Sequence, residues 1–270
     1  MTKLCPHFEK IPDWVKPKKK RGAYEFPGDW VKLVNPGRGI RWMFPGKKII
    51  ARYFLENEDS YLQRGSEGAR DYFNLMWRKY DENREDVDIS ESLNEPVVQT
   101  IEQANNLNCF MTTWVDLMAK WSLAAAIPSW SLGNPPYELL GAMRDMYTEA
   151  PYQSAHQYGV VRMDEPQMND HCLRHRKMAM AMKELGIPIR PLFISEFGLD
   201  RTSIDGGGYR IDPFKTSWDD YRSQLLWADS KLEIDDWVVA AFIFVTGATS
   251  QWKSFDLGKG EWDDLKRELA

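Results

Sequence analysis

The chain has few cysteines: three in 270 residues, Cys5, Cys109 and Cys172. Their odd number and wide spacing exclude a disulfide framework. The opening residues, MTKLCPHFEK, hold no apolar stretch of the signal-peptide kind. No run of about 18 apolar residues occurs anywhere, so no membrane-spanning helix is expected. Together these point to the reducing cytoplasm, with release by cell lysis as the other route. No glycine-rich phosphate loop of the P-loop or dinucleotide type is present, and DGGGY (205–209) reads as a flexible loop. A basic excess is also missing. Lys and Arg number 35 against 40 Asp and Glu, a net charge of -5, which argues against nucleic acid as a partner. The single basic cluster, KPKKKR from Lys16 to Arg21, reads as a solvated loop. Histidines number four: His7, His156, His171 and His175. His171 and His175 stand four apart, a spacing that binds zinc on a helix. HCLRH, however, lacks the glutamate of a zinc-protease helix, so no metal and no cofactor are expected.

What is abundant is tryptophan, 12 residues in a chain that is 13% aromatic. An indole N–H needs a partner when buried, and cores use Phe and Leu more readily. Such an excess suits a surface that stacks on flat faces such as sugar rings. Short β-rich runs alternate with longer helical ones. Strands are expected over Lys3–Phe8, Trp30–Asn35, Lys48–Phe54, Val87–Leu93, Leu123–Ser129, Ser154–Tyr158, Pro191–Glu196 and Val238–Val245. KIIARYF, RPLFISEFG and VVAAFIFVTG are nearly continuous apolar runs, as expected of parallel strands covered on both faces. Helical patterns fill most gaps. One is expected to start on a capping box at Ser66, one has Pro96 near its first turn, and one ends at Gly186 and Pro188. The first two connections look short and irregular. Eight strands alternating with helices, without a repeat or linker, give a single α/β domain over 1–270, a (β/α)8 TIM barrel. That fold places chemistry at the C-terminal ends of its strands.

Two of those ends carry glutamates. The fourth strand finishes on Asn94-Glu95-Pro96, three poor strand formers, and the seventh on Ser195-Glu196-Phe197-Gly198. Paired carboxyls across a barrel mouth are what glycosidic hydrolysis requires. One protonates the leaving oxygen, and the other attacks or activates water. Between them lies AHQYG, with His156 and Tyr158.

LNEP, ISEFG and AHQYG, in that order along the strands, resemble the motifs of retaining glycoside hydrolases of clan A. The resemblance runs from Lys3 to Trp252. The stretch from KIIARYF through LNEP also resembles uncharacterised clan-like proteins of bacteria and phages. The resemblance implies a retaining β-glycosidase acting on an oligo- or polysaccharide. Glu95 would be the acid/base and Glu196 the nucleophile. Asn94 would bond the sugar 2-hydroxyl, and Tyr158 would orient Glu196. His156 would bond Glu95 or the substrate. It also implies a tryptophan flooring the subsite after the eighth strand, for which Trp252 is the nearest match.

Other residues are read from their positions. Arg52 lies inside the apolar run IIARYF, where a charge is costly unless paired. Strand alternation puts Glu91 on the same face as Glu95, and Arg52 is the expected partner of Glu91 and Glu196. Trp130, after the fifth strand, could stack on a sugar. His7 ends the first strand and could line the pocket. Two further readings stay open: a phage-type lysin directed at the cell envelope, and a carbohydrate-binding barrel without activity.

Overall fold

The computed structural model describes residues 1–17, 22–201, 207–211 and 215–270. All eight expected strands are present: β1 (Leu4–Phe8), β2 (Trp30–Val34), β3 (Lys48–Arg52), β4 (Ile89–Glu91), β5 (Ala125–Trp130), β6 (Tyr152–Gly159), β7 (Leu192–Leu199) and β8 (Val238–Thr246). They pair in parallel, each with the next, and β1 pairs with β8 to close the barrel. The helices are α1 (Glu58–Leu62), α2 (Gly65–Glu82), α3 (Ile101–Lys120), α4 (Arg144–Glu149), α5 (His175–Glu184), α6 (Trp218–Leu232) and α7 (Lys259–Glu268). The fold is therefore a (β/α)8 barrel. As the sequence suggests, its first two connections are irregular: among their described residues only a 3-10 turn, Ile40–Met43, is helical. No helix among the described residues is long and apolar enough to cross a membrane.

Several local expectations are corrected. Ser66 does not cap α2; its hydroxyl donates instead to the Cys109 carbonyl. The capping box belongs to α3, where Thr100 accepts from the Gln103 amide and the Gln103 side chain reaches back. Pro96 consequently lies outside that helix. Residues 18–21 of the basic run and Asp205 and Gly206 of DGGGY lie outside the described residues.

The barrel interior follows from alternation along each strand. Its lower half is an apolar plug of Cys5, Trp30, Ile50, Ile89, Ala126, Phe193, Ala240 and Phe242. Trp30 meets Phe193 edge-on at 4.7 Å. Two residues further along β1 to β4 stand His7, Lys32, Arg52 and Glu91. The apolar plug is thus topped by a layer of charge. On β7 the register shifts between Ile194 and Phe197. This irregularity turns Glu196 to the mouth directly after Ser195, while Phe197 joins the outer core. Gly198 follows at φ 148°, and a Cβ there would lie 2.4 Å from the Tyr221 hydroxyl, so only glycine fits.

Candidate active site

Glu95 is delivered by the segment after β4, not by the strand itself. β4 ends at Glu91, so simple alternation does not relate Glu91 to Glu95. Asn94 bridges Ser129, and the Glu95 amide donates to the Ser129 carbonyl at 2.9 Å. Glu95 itself adopts φ 47°, an uncommon conformation for a residue with a side chain. Such outliers persist where the surroundings over-determine them, often at functional sites. A second support comes from α1, where Glu58 Oε2 accepts from the Asn94 amide at 2.7 Å. Burial raises the Glu58 pKa against that hydrogen bond.

His156 and Tyr158 project from β6 to the two carboxyls. His156 Nδ1 lies 2.7 Å from Glu95 Oε1 and 3.5 Å from Glu196 Oε2. The Tyr158 hydroxyl donates to Glu196 Oε2 at 2.8 Å. One donor atom each from Glu95, His156 and Glu196 lies within 4.8 Å of the other two. The Glu196 side chain is 10% exposed and that of Glu95 41%, so both carboxyls remain reachable at the barrel mouth. Burial pushes the Glu95 pKa up. The His156 hydrogen bond and the charges of His156, Arg52 and Lys32 outweigh it, and the net direction is downward.

Two cations approach Glu196 Oε1 from below, Lys32 Nζ and Arg52 Nη2, each at 3.9 Å. Arg52 thus contacts Glu196 as the sequence predicts. Glu91 takes a different partner: its Oε2 lies 2.8 Å from Lys32 Nζ, and its Oε1 accepts from the Ser154 hydroxyl. Burial alone would raise the Glu91 pKa. Lys32, with His156 and Arg52, holds it well below the usual carboxylate range. Lys32, Glu58 and Ser154 were not singled out from the sequence. For Lys32 the signal was present, a charge inside the apolar run WVKLV, the same signal that marked Arg52.

Other expected residues lie elsewhere. Trp130 is 1% exposed, and its indole donates to the Tyr147 hydroxyl at 2.8 Å. It packs between barrel and helices and presents no face to a sugar. His7 is fully buried beneath the mouth, edge-on to Phe244 at 5.2 Å. Burial, then the charges of Lys32, Arg52 and His156, drive its pKa well below the ordinary imidazole value. Trp252 is half-buried in the 3-10 turn Ser250–Phe255 and meets Phe244 edge-on at 5.5 Å. Phe244 in turn contacts Tyr158, so Trp252 flanks the site on the β8 side. His171 and His175 do not converge. His171 pairs with Glu165, and His175 is buried against Asp235.

The donor set of Glu95, His156 and Glu196 is the one group among the described residues with metal-ligand spacing. Lys32 and Arg52 already compensate Glu196, which makes the site a poor cation trap. The same arrangement suits acid/base and nucleophilic work: two adjacent carboxyls, one held by an imidazole and one by a phenol and two cations.

No protein-family model matches the chain, and no curated protein matches it in sequence. Solved structures do match. A GH128 (subgroup VI) exo-β-1,3-glucanase from Aureobasidium namibiae aligns at 13% identity and TM-score 0.58, over 99% of this chain and 95% of that one. A GH128 (subgroup II) endo-β-1,3-glucanase from Sorangium cellulosum aligns at 17% identity and TM-score 0.57, over 89% of each chain. A GH128 (subgroup I) endo-β-1,3-glucanase from Amycolatopsis mediterranei, in complex with laminarihexaose, aligns at 12% identity and TM-score 0.56, over 94% and 97%. At these identities the likeness establishes a shared barrel fold.

Proposed function

We propose that this protein is a retaining β-glycosidase that hydrolyses an oligo- or polysaccharide. The observation that carries the reading is the pair Glu95 and Glu196, with donor atoms within 4.8 Å of each other at the C-terminal mouth of the barrel. Retaining enzymes hold their carboxyls about 5–5.5 Å apart, whereas inverting ones leave room for a water at about 6.5–9.5 Å. The close approach supports retention.

Glu196 is the nucleophile. Its oxygen attacks the anomeric carbon as the bond to the leaving oxygen breaks, and Glu95 gives its proton to that oxygen. Water then attacks the glycosyl-enzyme, Glu95 takes the water's proton, and the Glu196 carboxylate is released. Charge pairing accounts for the proton. Glu91 is paired with Lys32 and Glu196 faces Lys32 and Arg52, whereas among the described residues no lysine or arginine pairs with Glu95, the carboxyl assigned the proton. Asn94 is half-buried at the mouth and is assigned to a sugar hydroxyl, whereas the buried His156 orients Glu95. Trp252 borders the same subsite.

The neighbours named for β-1,3-glucans make laminarin and its oligosaccharides the first substrates to try, with aryl β-glycosides of several sugars beside them. Release of product whose first-formed anomer is β, and its loss in Glu196→Ala, is the expected result. First-formed α product would assign inversion, and turnover by Glu196→Ala equal to that of the parent would remove the reading.

A further inference from the structure

Lys32 is an unusual residue to find where it is. Its side chain is 0% exposed, inside a barrel, on top of the apolar plug, and a substrate cannot touch it. Lysine is almost never fully buried without a partner. An ammonium stranded there would cost far more than a packed apolar residue. Packing therefore does not explain it, and its neighbours do.

The groups facing Lys32 are Glu91 on β4, Glu196 on β7, Arg52 on β3 and His7 on β1. Its nitrogen lies 2.8 Å from Glu91 and 3.9 Å from Glu196. The second oxygen of Glu91 takes the Ser154 hydroxyl, and the Ser154 and Ser195 hydroxyls are 2.9 Å apart. Ser195 is the residue before Glu196. The chain Lys32–Glu91–Ser154–Ser195 thus starts at one face of Glu196 and returns to its backbone. Around Glu196 the other facing groups are Arg52, Tyr158, His156 and Glu95. Of the two cations, Arg52 is partly exposed, with Nε and Nη1 unpaired. Lys32 alone is sealed from water, where a charge acts most strongly.

We propose that Lys32 is a positioning residue for Glu196: its sealed ammonium is the permanent counter-charge of that carboxylate, and the Glu91–Ser154–Ser195 chain fixes it in place. The assignment rests on Glu196 being the working carboxylate, although the coupling itself can be read without turnover. Burial lowers the Lys32 ammonium's pKa, opposed by Glu91 and Glu196, which is the coupling seen from the other side.

The test is carboxyl and lysine-Cε NMR titration of the full chain, with Glu196 assigned by its loss in Glu196→Gln. In Lys32→Met, which removes the buried cation alone, the Glu196 midpoint should rise by about 1–3 pH units, the range for losing an opposite charge at this distance. If that variant does not fold, the conservative Glu196→Gln reads the same coupling, because linkage is reciprocal. The Lys32 signal should then titrate lower than in the parent by the same amount. An unmoved Glu196 in the folded Lys32→Met variant, or an unmoved Lys32 in Glu196→Gln, overturns the proposal. In the turnover assay the acidic limb of the kcat/KM profile should move up with the Glu196 midpoint. A shifted midpoint in a chain that hydrolyses no glycoside would instead reject the glycosidase reading and leave the Lys32–Glu196 coupling standing.

Discussion

The Tyr158 hydroxyl donates to Glu196 Oε2, while His156, two residues earlier on the same strand, holds Glu95. Residues two apart on a strand share a face, so β6 sets both carboxyls with one stretch of backbone. The Tyr158 phenol is raised well above its ordinary pKa by burial, and next by Glu196. It therefore stays a donor throughout the working pH range. Tyr158→Phe should fold and lower kcat/KM by roughly 10- to 100-fold, the worth of one hydrogen bond to a charged group. Steady-state kinetics on an activated aryl glycoside measure this. An unchanged kcat/KM would show that Glu196 does not need the phenol.

Stability should fall with acid, starting with histidine. The folded His7 takes up a proton less readily than the unfolded chain, because of its burial and then the cations around it. His175 is lowered as well, by burial, against its Asp235 hydrogen bond. Below about pH 6.5 the unfolded state binds more protons, so the folded state loses ground as pH falls. Glu91 adds a second stage. Its depressed pKa contributes stability that is present above the ordinary carboxylate range and lost as pH falls through and below it. Thermal melts from pH 8 down to about pH 2 should show both stages. His7→Phe should make the upper one shallower, and an identical slope would assign that stage to other groups.

The barrel and the two carboxyl positions were legible in the sequence because both depend on local pattern. Continuous apolar runs mark KIIARYF and VVAAFIFVT as strands, and the strand-breaking Asn94-Glu95-Pro96 marks a site. What was not legible depends on through-space partners. Nothing local shows that Glu91 pairs with Lys32 on β2 instead of Arg52 on β3, because Arg52 and Lys32 both carry the signal of a charge in an apolar run. Trp130 reads as a stacking surface until Tyr147, from α4, is found bonding its indole. The phase change on β7, which brings Glu196 to the mouth beside Ser195, follows from register irregularity against β8, and a strict two-residue alternation cannot anticipate it.

Metal removal should leave catalysis intact. Glu95, His156 and Glu196 have the spacing of a ligand set, but an added dication would sit near Lys32 and Arg52, against their repulsion. Activity after dialysis against a strong chelator should match that of the untreated protein within error. A loss restored by one divalent metal would move this cluster from acid/base chemistry to metal-assisted hydrolysis.

The two glutamates should differ in which step they control. Glu95→Ala removes the proton donor, so substrates with poor leaving groups should suffer most, while activated aryl glycosides still form the glycosyl-enzyme. Its second step lacks a base, so the intermediate accumulates and a burst of the aryl alcohol precedes slow turnover. Azide needs no deprotonation. It should enter the space vacated by the Glu95 side chain, attack the glycosyl-enzyme from that face and give a β-glycosyl azide with partial recovery of rate. Glu196→Ala cannot form the intermediate at all. If azide rescues that variant, it attacks the substrate directly from the nucleophile's side, with one inversion, and the product is the α-azide. NMR of the isolated glycosyl azides therefore separates the roles by stereochemistry. The same anomer from both variants, or a Glu95→Ala enzyme equally slow on good and poor leaving groups, would reverse or remove the assignment.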